Sequence, residues 1–320
     1  MFRVAVLDDY QTVALEMADW KSLEPEGEVQ AFADNLVDLP QLAERLHTFD
    51  AVVLMRERTP FPRALLDRLP NLRLIVTAGM RNASIDVAAA TEKGVLVTGT
   101  EMLAYPTAEL AWGLIIGLVR HIPFEAEQMR KGAWQTTLGH GLQGKTLGIA
   151  GLGRLGAQVA AVGKAFGMSV IAWSQNLTSE RAAAADAKLV TKEALFAEAD
   201  VVTIHLVLSD RTRGLVGAPE LGRMKPTAYL VNTSRGPIVD SKALIEILRA
   251  RRIAGAALDV YDQEPLPADH PLRKLDNVVL TPHLGYVLEE NYKLLYPQAV
   301  ENIRAFMSGK PVARGINKVG

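Results

Sequence analysis

The stretch Thr146-Leu147-Gly148-Ile149-Ala150-Gly151-Leu152-Gly153-Arg154-Leu155-Gly156 decides the fold of this chain. Its first five residues are an apolar run typical of a buried strand, and Arg154–Phe166 follows a helical pattern. In the Gly-x-Gly-x-x-Gly spacing between them, the first glycine permits a tight turn, the second lets backbone approach a pyrophosphate, and the third allows close helix–strand packing. The helix N-terminus also favours an anion. The strand–turn–helix setting therefore predicts a dinucleotide-binding unit rather than a glycine-rich loop that binds no ligand.

The second strand of this unit is predicted to end at Trp173, without an acidic residue. NAD-selective folds usually place Asp or Glu about 20 residues beyond the glycines, against the ribose 2′-hydroxyl. Here Ser174-Gln175-Asn176 follows, and no carboxylate occurs until Glu180. The serine and glutamine are candidate ribose contacts, and Arg181 could reach a 2′-phosphate. We expect NADP to be at least tolerated, while a preference for NADP and no clear preference both stay open.

Three ionisable residues each stand just past a predicted strand: Arg235, Glu264 and His283. An arginine can hold a carboxylate bidentately, and an imidazole can give or take a proton near neutral pH. A carboxylate can orient that imidazole and stabilise its charged form. Each residue alone could be a salt-bridge, loop or capping residue. Because ligands bind at the carboxyl ends of the strands in open α/β sheets, we predict that the three form one catalytic site.

β-rich runs alternate with helical patterns in two successive series, which predicts an α/β fold with two doubly wound parallel-sheet domains. The first series of predicted strands is Arg3–Leu7, Glu28–Phe32, Ala51–Met55, Arg73–Val76 and Val95–Thr98. The second is Thr146–Ala150, Ser169–Trp173, Val201–His205, Ala228–Asn232, Gly255–Val260 and Val278–Leu280. Predicted helices include Tyr10–Trp20, Leu39–Leu46, Arg63–Leu69, Ile85–Glu92, a long one from about residue 103 to about 130, and a last one over Leu288–Met307.

Composition excludes several classes of function. The 320 residues carry a net charge of −1 and no cysteine, so disulfides, thiolate catalysis and Cys-zinc sites are excluded. No basic stripe supports nucleic-acid binding. The most apolar stretch, Leu103–Val119, is too short and too polar to span a bilayer. The N-terminus is predicted to be a first strand rather than a signal peptide, and we expect a cytoplasmic protein without a metal site.

With these motifs in place, the chain resembles the D-2-hydroxyacid dehydrogenases over nearly its whole length. The resemblance rests on Gly151–Gly156, Asn232–Gly236, Ala257–Pro265 and Thr281–Gly285, in that order. It implies a flavodoxin-like substrate domain, residues 1–102 plus 287–320, and a Rossmann-type NAD(P)-binding domain, residues 103–286. It also implies an active site in the cleft between them, and a homodimer in which the long helix embraces the partner.

The resemblance assigns roles residue by residue. Arg235 would bind the carboxylate and keto oxygen of a small 2-keto acid, His283 would be the acid/base, and Glu264 its partner. Asp259 would accept from the nicotinamide carboxamide, with Thr107 beside it. The full set of expected cofactor-binding residues is Gly151, Gly153, Arg154, Leu155, Gly156, Ser174, Gln175, Thr107, His205, Thr233 and Asp259. The expected substrate-binding residues are Gly79, Met80 and Arg81, with backbone N–H groups of their loop on the carboxylate.

Some positions depart from the family pattern. Ser174 replaces the acidic residue of NAD-dependent members, Arg81 stands where glycine is usual, and His205-Leu206-Val207-Leu208 lacks the common proline. These departures concern cofactor and substrate preference. Formate dehydrogenases pair the histidine with glutamine, so Glu264 argues against that branch. The predicted reaction is hydride transfer between NAD(P)H and C2 of a 2-keto acid or D-2-hydroxy acid. The alternative, a non-catalytic NAD(P)-binding regulator of the corepressor type, is disfavoured because nearly every residue is used by the two domains.

Overall fold

The structure is a computed structural model that describes residues 1–319. The chain divides into two compact units. Unit 1 consists of Met1–Leu103 and the chain from Leu288 onward, and unit 2 is Ala104–Val287. No helix within residues 1–319 is long and apolar enough to cross a membrane.

The strands and α-helices alternate along most of the chain. The strands are β1 Phe2–Val6, β2 Gly27–Ala31, β3 Ala51–Leu54, β4 Leu74–Thr77, β5 Leu96–Gly99, β6 Thr146–Ala150, β7 Ser169–Trp173, β8 Lys188–Leu189, β9 Val201–Ile204, β10 Tyr229–Asn232, β11 Gly255–Leu258 and β12 Val278–Leu280. The helices are α1 Leu39–Leu46, α2 Arg63–Leu66, α3 Val87–Glu92, α4 Pro106–Val119, α5 Ile122–Arg130, α6 Arg154–Ala165, α7 Ser179–Ala184, α8 Lys192–Glu198, α9 Ala218–Arg223, α10 Ser241–Arg249 and α11 Glu289–Met307.

Unit 1 is built on a parallel sheet in the order β2-β1-β3-β4-β5. This is the doubly wound order of flavodoxin. Strands β3 and β4 are buried along their whole length, as expected where helices cover both faces of a parallel sheet. The last helix, α11, returns to this unit, where the buried Tyr296 packs edge-on against Trp20.

Unit 2 is built on a longer parallel sheet in the order β12-β11-β10-β9-β6-β7-β8. The chain winds outward from β6 through β7 to β8, then returns to β9 on the other side of β6 and winds outward to β12. Ligands of such sheets bind outside the carboxyl ends of the strands, where the winding reverses. The glycine turn follows β6 at that switch point. The predicted fold class, two doubly wound parallel-sheet α/β units, is confirmed.

Two predicted helices are wrong in kind, because one is not an α-helix and the other is two helices. Tyr10–Trp20 is not an α-helix but contains short 3₁₀ turns, Ala14–Glu16 and the beginning of Trp20–Leu23. The Asp9 carboxylate accepts the backbone N–H groups of Val13 and Ala14 at 3.0–3.2 Å, and this local turn competes with helix formation.

The second is the helix predicted from about residue 103 to 130, which is two helices, α4 and α5. His121 between them has a left-handed backbone, with φ 53°. Pro123 follows within the first turn of α5, where proline is tolerated because the N–H it lacks has no partner there. The apolar periodicity runs across this break and therefore conceals it.

Candidate active site

The glycine turn after β6 has the shape of a cradle for an anion. Gly151 has φ 103°, and a Cβ there would lie 2.7 Å from the backbone of His205. A Cβ on Gly156 would lie 2.3 Å from the carbonyl oxygen of Gly151, whereas one on Gly153 would meet nothing within 4 Å. Two of the glycines are therefore required by packing. Gly153, the second glycine of the motif, leaves open space at the first turn of α6, where Arg154 and Leu155 begin the helix. The turn therefore fits a pyrophosphate.

The segment after β7 is polar and partly exposed. Ser174 is half-buried and Gln175 is exposed, and the guanidinium of Arg181 lies 3.4 Å from the carbonyl oxygen of Asn176. A groove of about 680 Å³ on this side of unit 2 is lined by Gly153, Arg154, Lys164 and Arg181, among others. Lys164 also pairs with Asp186 at 2.9 Å. The groove thus carries three cations, of which Lys164 is paired with Asp186 in the same lining.

Three neutral polar residues of unit 2 lie at strand ends or at the start of α4. Thr233, just after β10, has a buried hydroxyl oxygen without a hydrogen-bond partner among residues 1–319. His205, just after β9, has Nε2 2.9 Å from the hydroxyl of Thr203, and burial lowers the pKa of its imidazole to about 4. Thr107 donates its hydroxyl to the carbonyl of Gly285 at 2.8 Å. The orphaned Thr233 hydroxyl fits a polar group of a bound ligand, since a buried hydroxyl is costly to leave unpaired.

His283 and Glu264 form a close pair. Nδ1 of the imidazole lies 2.5 Å from Oε2 of the carboxylate, and the two side chains are 14% and 22% exposed. The other carboxylate oxygen accepts the backbone N–H of Tyr261 at 2.9 Å. A carboxylate on Nδ1 fixes the tautomer and directs Nε2 to proton transfer. The predicted contact between a loop glutamate and a histidine on the next strand end is present.

Asp259 holds the loop that carries His283. Its buried carboxylate accepts the backbone N–H groups of Leu284 and Gly285 at 2.7 and 2.9 Å, and the hydroxyl of Thr281 at 2.6 Å. Burial raises the pKa of this carboxyl, while these hydrogen bonds oppose the rise. His283 has a left-handed backbone, φ 55°, and such a conformation persists when its surroundings determine it. This anchoring role was not foreseen from the sequence, because it depends on residues 22–26 positions apart.

Arg235 follows β10 in a loop held by its own neighbours. The side chain of Asn232 donates to the carbonyl of Arg235 at 3.0 Å and accepts the N–H of Ser234 at 3.0 Å. A Cβ on Gly236 would lie 2.1 Å from the carbonyl carbon of Tyr261. Glycine is therefore the residue that lets the arginine loop approach the glutamate loop. The structure thus brings Arg235, Glu264 and His283 to the carboxyl edge of one sheet.

The predicted substrate loop, Gly79-Met80-Arg81, follows β4 in unit 1. Gly79 has φ 86°, and its N–H is hydrogen-bonded to the hydroxyl of Thr100 at 3.2 Å. A Cβ on it would collide with the guanidinium of Arg56. Met80 and Arg81 are exposed. Within residues 1–319, no group of three His, Asp or Glu side chains is placed to hold a metal ion.

Comparison with known proteins identifies relatives along the whole chain. Residues 112–285 match the family model "D-isomer specific 2-hydroxyacid dehydrogenase, NAD binding domain". A glyoxylate reductase of Aeropyrum pernix is 42% identical over 264 residues, covering 79% of each chain. A D-3-phosphoglycerate dehydrogenase of Methanocaldococcus jannaschii is 36% identical over 99% of this chain, which spans only 60% of that protein.

Solved structures agree with these sequence matches. A phosphoglycerate oxidoreductase from Vibrio cholerae O395 superposes with a TM-score of 0.92 and 40% identity, covering 97% of this chain and 100% of that chain. An NAD-dependent formate dehydrogenase from Staphylococcus aureus, in complex with NAD, superposes with a TM-score of 0.80 and 28% identity over the full length of both.

Proposed function

Because this chain belongs to the D-isomer specific 2-hydroxyacid dehydrogenase family, we propose that it reduces a small 2-keto acid reversibly to the D-2-hydroxy acid. The observation that carries the proposal is the 2.5 Å contact between His283 Nδ1 and Glu264 Oε2 in the unit that contains the glycine turn. A histidine held this way can transfer a proton. The dinucleotide supplies the hydride when it is bound.

Three residues divide the remaining chemistry. In reduction, the imidazolium of His283 donates its Nε2 proton to the keto oxygen as negative charge develops there. Glu264 stabilises that imidazolium through Nδ1 and, itself held by the N–H of Tyr261, fixes the plane of the ring. Arg235 binds the substrate carboxylate and polarises the carbonyl with its planar fork. In oxidation, neutral His283 takes the hydroxyl proton instead.

The fit to the dinucleotide is supported by the glycine turn and its neighbours. The backbone of Gly153 and the N-terminus of α6 would hold the pyrophosphate. The orphaned Thr233 hydroxyl would bond the cofactor. Thr107 and Asp259 flank Gly285 in unit 2, and we propose that they line the nicotinamide pocket. His205, kept neutral by burial, would border it without adding charge.

Among small 2-keto acids we favour glyoxylate or hydroxypyruvate. The first curated relatives are glyoxylate reductases, covered over 79% and 83% of their length. This chain spans only 49–60% of the curated D-3-phosphoglycerate dehydrogenases. The test is kcat/KM for glyoxylate, hydroxypyruvate, phenylpyruvate and 3-phosphohydroxypyruvate with NADH and NADPH. Turnover of none, with dinucleotide still bound, would favour the corepressor-type regulator.

The cofactor specificity is predicted to depend on residue 174. A carboxylate at the end of the second strand bonds the ribose 2′-hydroxyl and repels a 2′-phosphate, and Ser174 does neither. We expect NADPH to serve at least as well as NADH, since Arg181 lies at this end of β7. Ser174→Asp should lower kcat/KM for NADPH by about tenfold or more, an effect that weakens as salt rises. In the same variant, kcat/KM for NADH should rise by a smaller factor.

The measurement is kcat/KM for both dinucleotides with one keto acid, for the native protein and for Ser174→Asp. Ser174→Asn is the matched control, because it adds the same bulk without charge. A native protein that prefers NADH by about 100-fold would contradict this assignment of the ribose pocket.

We propose that a second copy of this chain covers α5 and the segment after it. None of the residues of α5 is buried within unit 2. Exposed large apolar side chains run from α5 onward: Ile122, Phe124, Met129, Trp134 and Leu138, the last two 72% and 91% exposed. A concentration of exposed large apolar side chains along one segment is typical of protein–protein interfaces.

Light scattering during size-exclusion chromatography tests the homodimer. We expect the native chain at about twice its 34.8 kDa mass, because association buries these apolar side chains. The double variant Trp134→Ser/Leu138→Ser should have the mass of a monomer. Val37→Ser, at a site 75% exposed in unit 1, should leave the dimer intact. A monomeric native protein would refute the proposal.

A further inference from the structure

We infer that Tyr261 is the positioning residue that holds Glu264 and His283 in register, an inference that rests on the proposed acid/base role of that pair. Tyr261 follows Asp259 and Val260 at the end of β11 and does not itself touch the imidazole nitrogen. Three of its groups reach the surroundings of the catalytic residues: the hydroxyl, the backbone N–H and the backbone carbonyl.

The hydroxyl of Tyr261 joins two adjacent strand ends. Its oxygen lies 2.9 Å from the carbonyl oxygen of Leu258 and 2.9 Å from that of Thr281. Leu258 ends β11, and Thr281 follows β12 two residues before His283. Since a carbonyl oxygen only accepts and the phenol has one hydrogen, the O–H is shared between the two oxygens in a bifurcated hydrogen bond. The single O–H group therefore ties the strand end that leads to Glu264 to the one that leads to His283.

The backbone of Tyr261 completes the arrangement. Its N–H donates to Glu264 Oε1 at 2.9 Å, while Oε2 of the same carboxylate contacts His283. Its carbonyl lies where Gly236, next to Arg235, approaches most closely. A rotation of this residue would therefore move the glutamate relative to the imidazole.

The ring of Tyr261 packs against the apolar core of unit 2, but part of its surroundings is open. A cavity of about 180 Å³ lies beside it, lined mainly by apolar side chains that include Val239, Leu244 and Leu272. The open space offers no contacts to oppose displacement of the ring in that direction. The hydrogen bonding of the hydroxyl therefore adds to packing in fixing the ring. Burial, with the nearby carboxylates of Asp259 and Glu264, raises the pKa of the phenol well above its usual range, and Arg273 only partly offsets this. The hydroxyl therefore remains a donor throughout the working pH range.

The test is Tyr261→Phe, which keeps the ring and removes the tie. Tyr229→Phe is the matched control, because Tyr229 is a buried tyrosine at the opposite, amino end of the neighbouring strand β10. We expect kcat for keto-acid reduction to fall about three- to tenfold, as loss of one or two hydrogen bonds of ordinary strength implies. The KM for the dinucleotide should not change. Thermal melts verify that both variants are folded.

A second measurement needs no substrate. The proton on His283 Nδ1, in its short contact with Glu264, should give a far-downfield ¹H NMR resonance in the native protein, assigned by its loss in Glu264→Gln. Tyr261→Phe should move this resonance upfield or let it exchange with water, whereas Tyr229→Phe should leave it in place. If Tyr261 had a purely structural role, Tyr261→Phe would lower the melting temperature without moving the imidazole resonance.

The outcomes separate this inference from the proposed function. Native-like kcat in Tyr261→Phe, or an unchanged imidazole resonance, overturns the inference while native turnover upholds the proposed function. If the native protein reduces no keto acid, the proposed function fails, and the resonance still decides whether Tyr261 holds the pair.

Discussion

Replacing His283 with alanine is expected to lower kcat for keto-acid reduction by about 10²–10⁴-fold, the usual contribution of a positioned acid/base. Among the histidines of residues 1–319, His283 is the one whose imidazole is paired with a carboxylate, at 2.5 Å. Without it, this strand end has no comparable proton donor. Dinucleotide affinity should stay near the native value, since the glycine turn follows β6, which three strands separate from β12 in the sheet. Stopped-flow kinetics and fluorescence titration with NADH measure the two quantities.

The control for this variant is His47→Ala, which removes an exposed histidine of unit 1. It should leave kcat within about twofold, as most surface substitutions change little. Native-like turnover in His283→Ala would eliminate the assignment of His283 as the acid/base and direct attention to another proton donor.

Arg235→Lys should reduce kcat/KM for a keto acid by about 10–100-fold. Charge survives the change, but the planar fork that matches a carboxylate does not. Losing one charge-assisted hydrogen bond of about 1.5–3 kcal/mol is consistent with that range. KM should rise and kcat should fall, because the same contact binds the substrate and aligns its carbonyl. The dinucleotide Kd reports whether the loop has remained intact.

Arg251→Lys is the matched control, because Arg251 is an exposed arginine of unit 2 paired with Asp276 at 2.5 Å. An exposed ion pair of this kind contributes little to stability, so the kinetics of Arg251→Lys should match those of the native protein. If Arg235→Lys behaves in the same way as this control, Arg235 does not bind the substrate carboxylate.

The strands were predicted well because their signal is local. The runs Thr146–Ala150, Ser169–Trp173 and Val278–Leu280 form strands with the predicted bounds, since each strand of such a parallel sheet is a short run rich in apolar residues with turn residues around it. The helix predicted over Tyr10–Trp20 failed for a different reason. There the carboxylate of Asp9 turns inward to bond backbone N–H groups, a choice that periodicity does not record.

The sequence by itself determined the α/β class, the glycine turn and the positions of Arg235, Glu264 and His283 just past strand ends. Each of these depends on residue types within a short window, where apolar periodicity and glycine spacing act directly on the backbone. The pairing of Glu264 with the imidazole was predicted, and the structure gives its geometry, Nδ1 to Oε2 across 19 residues of sequence. The tertiary structure alone decided that Asp259 holds the histidine loop from 26 residues away. It also placed the hydroxyl of Tyr261 between two strand ends. Such contacts depend on the register of neighbouring strands, which is established only when the whole sheet has formed.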